Sequence, residues 1–282
     1  MILIADSGAS KTDWRIIDEN GTVDQARTSG LNPFYMDREA IKLEIEASLK
    51  PMITKEIDHI YYYGAGCSTE HNCKIITDTL SPLFPGASIS VDHDLLGAAR
   101  ALCNREAGIV CILGTGSNSC LYDGNDITDN IPSLGYILGD EGSGSHMGKT
   151  LLADFVRDDI PTYLKDAIIN QFNISREKIL EKVYQNPNPI QFLARFAEFI
   201  FSNLKEPYVY NLVNNSFEMF FEKNIFKYQD YKAHKVHFCG AVAFYFNSLL
   251  RKIATDKDIT VGNIIESPIA GLTVYHIKRL DN

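Results

Sequence analysis

The feature that most constrains the fold of this chain is a repeated pattern, in which a short apolar run ends in a turn that contains glycine. It occurs where ILIA leads into DSGASKT at residues 2–12, where GIVCIL leads into GTGSNS at residues 108–119, and before GAVA at residues 235–243. Such uninterrupted apolar runs are typical of strands that a sheet buries on both faces. Glycine lets the backbone of a turn approach a phosphate closely, and neighbouring hydroxyls add hydrogen-bond donors. One such turn is commonly only structural, but three of them, spread over both halves of the chain, favour a bound phosphate.

The segments between these runs alternate between strand-like and helix-like patterns. The first half predicts strands at 2–5 and 13–18, a third strand after the turn at 19–21, a helix at 37–50, a strand at 58–63, a helix at 70–80, a strand at 87–91 and a helix over residues 95–103. The second half predicts a strand at 108–113 with a hairpin partner at 117–122, a helical stretch over about 143–228 with breaks at Pro161, Pro187 and Pro189, strands at 235–239 and 259–265, and helices at 241–255 and 268–280. No internal repeat is detectable in the sequence. Because the order of strands and helices starts again near residue 108, we expect two α/β domains with mixed sheets and a cleft between them.

Composition excludes several functional classes. The 282 residues are 45% hydrophobic, which is enough for a sizeable core, and 27 basic against 36 acidic residues give a net charge of −9. This balance disfavours nucleic acid or an anionic membrane as a partner. The apolar start is too short for a signal peptide, and no apolar run approaches the ~20 residues that span a bilayer. We therefore expect a cytoplasmic protein, whose six scattered cysteines stay reduced.

The glycine turns do not fit the best-known nucleotide motifs. Neither the Walker pattern nor the Rossmann pattern of glycines occurs in its required setting, which argues against an ordinary P-loop enzyme or dehydrogenase. Instead, Asp-x-Gly-x-x-Lys-Thr at 6–12, GTGSN at 114–118 and CGAVA at 239–243 resemble the two phosphate motifs and the adenosine motif of the actin–hexokinase–Hsp70 superfamily. This resemblance points to a nucleotide-dependent phosphotransferase or ATPase.

Three further motifs resemble one family within that superfamily. They are DLLG at 94–97, LGDEGS at 138–143 and SPIAG at 267–271, and they are similar to the N-acetylglucosamine kinase family and its relatives, the activator ATPases of benzoyl-CoA reductase and 2-hydroxyacyl-CoA dehydratase. The resemblance implies two actin-like (ribonuclease H-like) domains at residues 1–107 and 108–282, each a mixed sheet flanked by helices, with nucleotide and sugar in the cleft between them. It also implies a helical insertion over about 143–230 and a last helix, about 268–280, that packs back toward the N-terminal domain.

The family resemblance implies ATP and Mg²⁺ as cofactors and assigns a role to each motif. Asp6 would hold hydrated Mg²⁺, which needs only one or two protein carboxylates. The nucleotide would contact Gly8, Lys11, Thr12, Gly114, Thr115, Gly240 and Ala241. The sugar would contact Asn32, Asp94, Thr115, Gly116, Asn118, Asp140 and Gly144. Asp94 would also be the catalytic base that accepts the proton of the reacting hydroxyl.

Simpler interpretations of the polar residues stay open at this point. Asp94 could be only the N-cap of the helix that it opens, and Asp92 is a competing carboxylate two residues away. A helix N-terminus would lower the pKa of Asp94, which phosphoryl transfer tolerates because its transition state is largely dissociative. Asp140 could likewise cap the helix that follows, and Asn32-Pro33 could be only a turn.

The resemblance favours an ATP-dependent kinase that phosphorylates an amino sugar, with the 6-hydroxyl of N-acetylglucosamine as the first expectation. Glucosamine, N-acetylmuramic acid and N-acetylmannosamine stay open as substrates, and a homodimer stays open as the assembly. The alternative is an ATPase that activates a partner reductase or dehydratase. Cys111 fits the cysteine by which those activators bind an iron–sulfur cluster, but the second cysteine that they need is missing between residues 120 and 239. A non-catalytic sugar sensor is a third interpretation, which the acidic charge disfavours.

Overall fold

Two five-stranded sheets with the same strand order organise the chain, which a computed structural model describes at residues 1–186 and 188–280. The strands are β1 (Ile2–Ser7), β2 (Lys11–Ile17), β3 (Val23–Ser29), β4 (His59–Gly64), β5 (Ser88–His93), β6 (Gly108–Leu113), β7 (Ser117–Tyr122), β8 (Ile127–Ile131), β9 (Val236–Cys239) and β10 (Val261–Ile265). The first sheet has the order β3-β2-β1-β4-β5 and the second has the order β10-β9-β6-β7-β8. Counted from its own first strand, each sheet therefore runs 3-2-1-4-5. The fold repeats although the sequence shows no repeat.

The helices complete each half of the chain. They are α1 (Arg38–Ser48), α2 (Glu70–Leu83), α3 (Asp94–Cys103), α4 (Gly135–Leu138), α5 (Gly144–Arg157), α6 (Thr162–Phe172), α7 (Arg176–Tyr184), α8 (Pro189–Ala194), α9 (Ala197–Ser202), α10 (Pro207–Lys223), α11 (Ala241–Tyr245), α12 (Asn247–Asp256) and α13 (Ile269–Leu280). Pro161 directly precedes α6 and Pro189 begins α8, as the predicted breaks require, whereas Pro187 lies outside the described residues.

The chain forms two units whose boundaries differ from the simple division near residue 107. The first unit contains residues 1–106, residues 122–127 and the segment from Ser267, and the second contains residues 107–121 and 128–266. The turn at 122–127 joins the first unit because the Tyr122 hydroxyl donates to the carbonyl oxygen of Asn104 at 3.0 Å. The family resemblance placed helix α13 at the end of the second domain and implied that it packs back toward the first; in the structure α13 packs on α3 and β1 within the first unit.

The first sheet is covered on both faces, as the apolar run of β1 predicts. Leu3 and Ala5 lie in one buried cluster, and Ile2 and Ile4 lie in the other. This alternation follows from the two-residue period of a strand. Helices α1 and α2 pack toward the first cluster, and α13 packs toward the second. Burial on both faces fixes the register of β1, so the polar residues at its end have defined positions.

Two features of the second unit differ from the predicted elements. Strand β8 was not predicted, because ITDNI is partly exposed at the edge of its sheet and carries no apolar signal. The predicted helix at 241–255 is broken into α11 and α12 at Phe246. Phe246 is buried there and packs edge-on against the rings of Phe201 and Phe217. Burial of this ring therefore prevails over a continuous helix.

Among the described residues, no helix combines the length and the apolar character that crossing a membrane requires.

The close crossing of α5 and α8 predicts that Gly148→Ala destabilises the second unit. A Cβ on Gly148 would overlap the backbone carbonyl of Leu193, which cannot rotate away as a side chain could. Overpacking of this kind costs about 1–3 kcal/mol, and thermal unfolding followed by circular dichroism measures it. Gly144→Ala on the same helix is the control, because its Cβ would meet its nearest atoms at 3.4 Å and should cost less. Equal unfolding temperatures for the two variants would contradict the predicted crossing.

Candidate active site

The carboxyl ends of the parallel strands gather acidic side chains at one edge of the first sheet. Asp6 on β1 pairs with Tyr63 on β4, and Tyr63 pairs with Asp92 on β5. Helix α3 begins at Asp94, directly after β5. Because these strands are parallel, their ends meet at the same edge. The first sheet therefore brings together two of the predicted site residues, Asp6 and Asp94.

Asp6 lies in surroundings that disfavour its negative charge. Burial raises the pKa of its carboxyl group to about 7, the charges of Asp94 and Asp13 act in the same direction, and the Ser267 hydroxyl, which donates to Oδ2 at 3.1 Å, acts in the opposite one. Ser267 lies two residues before the start of α13, so the segment that leads into the last helix supplies the hydrogen-bond partner of the first strand. A divalent cation would relieve the repulsion between these carboxylates, and carboxylate oxygens are ligands that Mg²⁺ prefers. The residues present therefore fit Mg²⁺.

Asp94 does not cap its helix. The N-cap of α3 is His93, whose Nδ1 accepts the N–H of Leu96 at 3.3 Å, and Asp94 is the first helical residue. Its Oδ1 accepts the N–H of Leu95 at 2.9 Å. Burial raises the pKa of Asp94. The charge of His93 and the hydrogen bonds from backbone N–H groups lower this pKa, but by a smaller amount. The expectation that the helix N-terminus would lower this pKa is wrong, because desolvation of the carboxylate outweighs the helix terminus.

Asp92, the competing carboxylate, already has a cationic partner. Its Oδ2 lies 3.4 Å from Nη1 of Arg100, and the same Nη1 donates to the Tyr63 hydroxyl at 2.8 Å. Within the part of the chain that the structure describes, no lysine or arginine pairs with Asp94. Asp94 is therefore the carboxylate with oxygen atoms available to a ligand.

The first glycine turn joins β1 to β2 and is held by a buried hydroxyl pair. Ser7 Oγ and Thr12 Oγ1 lie 2.8 Å apart, and Thr12 Oγ1 donates to the carbonyl oxygen of Ser29 at 3.0 Å. Thr12 is completely buried, so its hydroxyl stabilises the hairpin and is not directed at solvent. Lys11 is half exposed and pairs with Asp13 at 2.8 Å. Gly8 has room beside it, because a Cβ there would meet its nearest neighbour at 3.6 Å.

Asn32 lies over the ends of β1 and β4 with its amide almost fully buried. Its Oδ1 accepts the N–H of Phe34 at 2.9 Å and lies against Gly66, where a Cβ would collide with it. The preceding Leu31 donates its N–H to Ser7 Oγ at 3.2 Å, which fixes the loop to β1. Within the described residues, the amide nitrogen of Asn32 donates to no other group. Asn32 is thus a turn residue that keeps a hydrogen-bond donor for a ligand.

In the second unit, the GTGS turn and the start of α5 form one structure. Gly144 donates its N–H to the carbonyl oxygen of Gly114 at 2.9 Å, and Ser145 donates to that of Thr115 at 3.0 Å. Gly114, Thr115 and Gly116 are partly exposed, and a Cβ on Gly114 would meet nothing within 4 Å. Gly144 is buried with its N–H already bonded. The backbone of the GTGS turn is therefore accessible to a ligand, and the N–H of Gly144 holds the turn in place.

Asp140 connects the two motifs of the second unit. Its Oδ1 accepts the N–H of Ser117 at 3.2 Å, and its Oδ2 lies 3.5 Å from Oγ of Ser145. Ser143 is the N-cap of α5, so Asp140 does not have the capping role that its position also allowed. Asp140 has a left-handed backbone with φ of 60°, which is unusual for a residue other than glycine. Burial raises the pKa of this carboxyl group.

The third glycine turn lies beside the second at the ends of β6 and β9. Ile112 pairs with Cys239, and a Cβ on Gly240 would collide with the carbonyl oxygen of Leu113. Gly240 also has a φ of 111°, so the fold itself requires glycine here. Ala241 begins α11 and is exposed. Four of the predicted nucleotide residues are thus adjacent in this unit: Gly114, Thr115, Gly240 and Ala241.

Asn118 and Cys111 are the remaining candidate residues of the second unit. Asn118 is partly exposed, and its Oδ1 accepts the N–H of Ser119 at 2.9 Å and Nδ2 of Asn130 at 3.2 Å. Cys111 is completely buried in β6. No cluster of three or more histidine, cysteine or acidic side chains suited to a metal occurs in the described part of the chain.

Sequence reasoning missed two residues that support the loop at 139–145. Ser216 on α10 accepts the N–H of Gly142 at 3.1 Å, and His146 Nδ1 lies 2.8 Å from the same Oγ. In the sequence, His146 follows the LGDEGS motif at 138–143 by three residues, and this closeness was a signal that it lies near the loop. Nothing in the sequence pointed to Ser216, because its contact joins positions 74 residues apart.

Comparison with known proteins supplies a whole-chain relative. No family model matches the chain, and no curated protein matches it. A solved structure from Porphyromonas gingivalis, of a presumed N-acetylglucosamine kinase, is 40% identical over 99% of this chain and 100% of its own, with a TM-score of 0.95. A second presumed N-acetylglucosamine kinase, from Chromobacterium violaceum, is 17% identical over 97% of this chain and 98% of its own, with a TM-score of 0.67.

A glucokinase of the ROK family shares the fold at lower similarity. The protein is from Streptomyces griseus, and its structure contains glucose and AMPPNP. It is 12% identical over 100% of this chain and 99% of its own, with a TM-score of 0.56. At this identity the likeness concerns the fold alone.

The charge environment of Asp6 predicts that Asp6→Asn stabilises the ligand-free protein above neutral pH. Between about pH 4 and pH 7 the folded protein keeps a proton on Asp6 that the unfolded chain has lost, so stability falls as pH rises through this range. Asparagine keeps an acceptor for Ser267 but has no charge to desolvate. The unfolding temperature of Asp6→Asn in metal-free buffer should exceed that of the wild type by about 2 °C or more at pH 8, and the difference should shrink at pH 5.

Asp13→Asn is the control of opposite sign. Burial would raise the pKa of Asp13, but its bonds to Lys11 and Arg27 outweigh burial and lower it. The carboxylate of Asp13 therefore stabilises the fold at neutral pH, and Asp13→Asn should lower the unfolding temperature at pH 8. If both variants unfolded at a lower temperature than the wild type at pH 8, burial of the Asp6 carboxylate would not destabilise the folded protein.

Proposed function

Since this chain belongs to the N-acetylglucosamine kinase family, we propose that it transfers the γ-phosphoryl group of ATP to the 6-hydroxyl of N-acetylglucosamine. It is an ATP-dependent sugar kinase with the α/β fold of the actin–hexokinase superfamily. The observation that carries the proposal of the acceptor is the 40% identity, over the whole chain, to a presumed kinase of that sugar.

The proposed phosphate contacts are the glycines that the fold itself does not require. A Cβ on Gly114 would meet no atom within 4 Å, and one on Gly8 would make only an ordinary contact. Gly240 and Gly30 differ, because a Cβ at either would collide with backbone atoms. Glycine at positions without internal crowding is explained by a ligand that approaches the backbone closely. We assign the phosphates to the turns at Gly8 and Gly114, with the Lys11 charge nearby.

Two predicted nucleotide residues, Thr12 and Thr115, and the predicted sugar residue Gly144 take supporting positions in this proposal. Thr12 holds the first turn through its buried hydroxyl, and Thr115 and Gly144 hold the second through their backbone groups. Gly240 and Ala241 provide the surface for the adenosine, because the turn at Gly240 has no side chain that would obstruct a flat ring.

The acceptor sugar needs groups that recognise hydroxyls. Asp140 offers carboxylate oxygens with lone pairs beyond those that Ser117 and Ser145 use, which suits a pair of neighbouring hydroxyls. Asn32 offers its amide nitrogen as a donor. Gly116 leaves the Asp140 carboxylate open, since a Cβ there would lie 3.0 Å from Oδ2. Asn118 completes the set with an amide at the edge of the same turn.

Asp94 is the proposed base of the transfer step. The oxygen of the 6-hydroxyl forms a bond to the γ-phosphorus, the bond from that phosphorus to the β,γ-bridging oxygen breaks, and the hydroxyl proton passes to Asp94. The products are the sugar 6-phosphate and ADP. Because burial raises the pKa of Asp94, its carboxylate binds the proton more strongly than an exposed aspartate would. Mg²⁺ held by Asp6 would neutralise charge on the phosphates.

The acceptor is tested by a coupled ADP-release assay with a panel of sugars. N-acetylglucosamine should give a hyperbolic response and the highest kcat/KM among N-acetylglucosamine, glucosamine, N-acetylmannosamine, N-acetylmuramic acid and glucose. The 6-deoxy analogue of N-acetylglucosamine should bind without turnover, because it lacks the reacting hydroxyl. ATP hydrolysis that is independent of any sugar would contradict the proposal and favour an activator ATPase.

A cytoplasmic location and a homodimer stay predictions from the sequence.

Asp94→Asn is expected to lower kcat by roughly 10²–10⁴-fold, the usual contribution of a positioned acid–base group. The variant keeps the shape of the side chain and its acceptor for the Leu95 N–H, so the KM values for sugar and ATP should change little. Asp92→Asn is the matched control, because Asp92 is paired with Arg100 and should retain most activity. If Asp92→Asn were inactive and Asp94→Asn active, the base would be Asp92 and the assignment to Asp94 would be wrong.

Gly8→Ala is expected to raise the KM for ATP about tenfold or more while the unfolding temperature stays near that of the wild type. The added methyl group has room in the ligand-free protein but would occupy the space of a phosphate. Gly30→Ala provides the contrast, because its Cβ would lie 2.6 Å from the carbonyl oxygen of Gly8 and should destabilise the first unit. An unchanged KM for ATP in Gly8→Ala would remove this turn from the nucleotide site.

A further inference from the structure

Ser216 is a buried serine on α10 that connects the long helical segment of the second unit to the loop at 139–145. Its Oγ accepts the N–H of Gly142 at 3.1 Å and lies 2.8 Å from Nδ1 of His146. Both contacts reach residues within six positions of Asp140. Neither Ser216 nor any other residue of α10 has a role in the function proposed above.

Two hydrogen bonds meet at the Ser216 hydroxyl. Burial lowers the pKa of His146, so its imidazole is neutral near pH 7. Ser216 Oγ accepts the Gly142 N–H and forms a second hydrogen bond with Nδ1 of His146, in which the imidazole tautomer sets which group donates. The arrangement is a chain of two hydrogen bonds from backbone to serine to histidine.

The loop that receives these bonds has an unusual backbone. Asp140 has a φ of 60° and Gly142 a φ of 78°, so two of three consecutive residues are left-handed. Gly142 also lies against α10, because a Cβ there would be 2.9 Å from Cβ of Phe220. A left-handed aspartate costs free energy and persists only when its surroundings hold it. Contacts from α10 are therefore part of what keeps Asp140 in place.

We propose that Ser216 and His146 are positioning residues, which hold the loop at 139–145 so that the Asp140 carboxylate meets the sugar. The inference rests on the proposed function, because it takes Asp140 as the ligand of the sugar. It assigns a role to the helical segment between residues 155 and 230: this segment braces the sugar-binding loop through α10.

A cavity of about 490 Å³ lies between α5 and α10, and one of the residues that line it, Tyr208, offers a matched control. His146 and Ser216 line it, and so do Asp154 and Tyr208, which come from the same two helices but lie further from the loop. The Tyr208 hydroxyl donates to Oδ2 of Asp154 at 2.8 Å. Tyr208→Phe thus removes a hydrogen bond between α5 and α10 without touching the loop.

Steady-state kinetics of the purified protein separates positioning from general destabilisation. Ser216→Ala should raise the KM for N-acetylglucosamine about tenfold and the KM for ATP by much less, because the Gly142 N–H loses its acceptor and the loop that carries Asp140 loses its position. Tyr208→Phe should leave both constants near wild-type values. Equal effects of Ser216→Ala and Tyr208→Phe on the KM for the sugar would overturn the inference.

A pair of histidine variants covers the case in which Ser216→Ala does not fold. Asparagine places an amide oxygen or nitrogen near the position of the histidine Nδ1, so His146→Asn keeps a hydrogen-bond partner for Ser216. His146→Ala should raise the KM for the sugar, and His146→Asn should restore most of the wild-type value. A KM that is the same for both histidine variants would count against a role for the Ser216–His146 bond.

Amide hydrogen exchange tests the inference without any enzymatic reaction. Exchange at residues 140–147 should be faster in Ser216→Ala than in the wild type and unchanged in Tyr208→Phe. If the wild type does not phosphorylate N-acetylglucosamine, the proposed acceptor is wrong, and the exchange comparison still decides whether Ser216 holds the loop. Unaltered exchange in Ser216→Ala would overturn the positioning role.

Discussion

The parallel pairing of β1 with β4 and of β4 with β5 is the constraint on which the candidate site depends. It brings the carboxyl ends of three strands to one edge, where Asp6 and Asp94 lie close enough for the charge of one to raise the pKa of the other. In the second unit, β6 and β9 are parallel as well, and their ends carry the turns at Gly114 and Gly240. One sheet topology, used twice, therefore supplies the acidic groups in one unit and two adjacent glycine turns in the other.

Much of the fold could be predicted from the sequence, because its strongest signals are local. Apolar runs mark the strands that are buried on both faces, and periodic apolar residues mark the helices. Strand β8 gives no such signal, since edge strands need few apolar residues, and the break at Phe246 depends on a pocket built by Phe201 and Phe217. The restart of strands and helices near residue 108 was visible in the sequence, but the spatial order of the strands within each sheet was not, because topology constrains which positions are buried and not which residues occupy them.

The site shows a similar division between what motifs reveal and what only packing reveals. Motifs identified Asp6, Asp94 and Asp140, and the structure gives each of them surroundings that raise its pKa. The sequence suggested the opposite direction for Asp94, because a helix N-terminus is a local feature and desolvation is not. Thr12 was expected at the nucleotide, but its hydroxyl is used inside the hairpin, and no sequence pattern could place Ser216 beside Gly142.

The hydrogen bond from Ser267 to Asp6 joins the first strand to a segment that the ribosome makes after the whole second unit. At roughly 5–20 residues per second, β1 waits from about ten seconds to a minute before its partner emerges. During synthesis the first sheet therefore carries an aspartate whose hydrogen-bond donor is still missing, and whose apolar neighbours lack the cover of α13. The acidic site is therefore completed only after the whole second unit has been made, and until then the nascent first unit exposes the apolar side chains that α13 later covers.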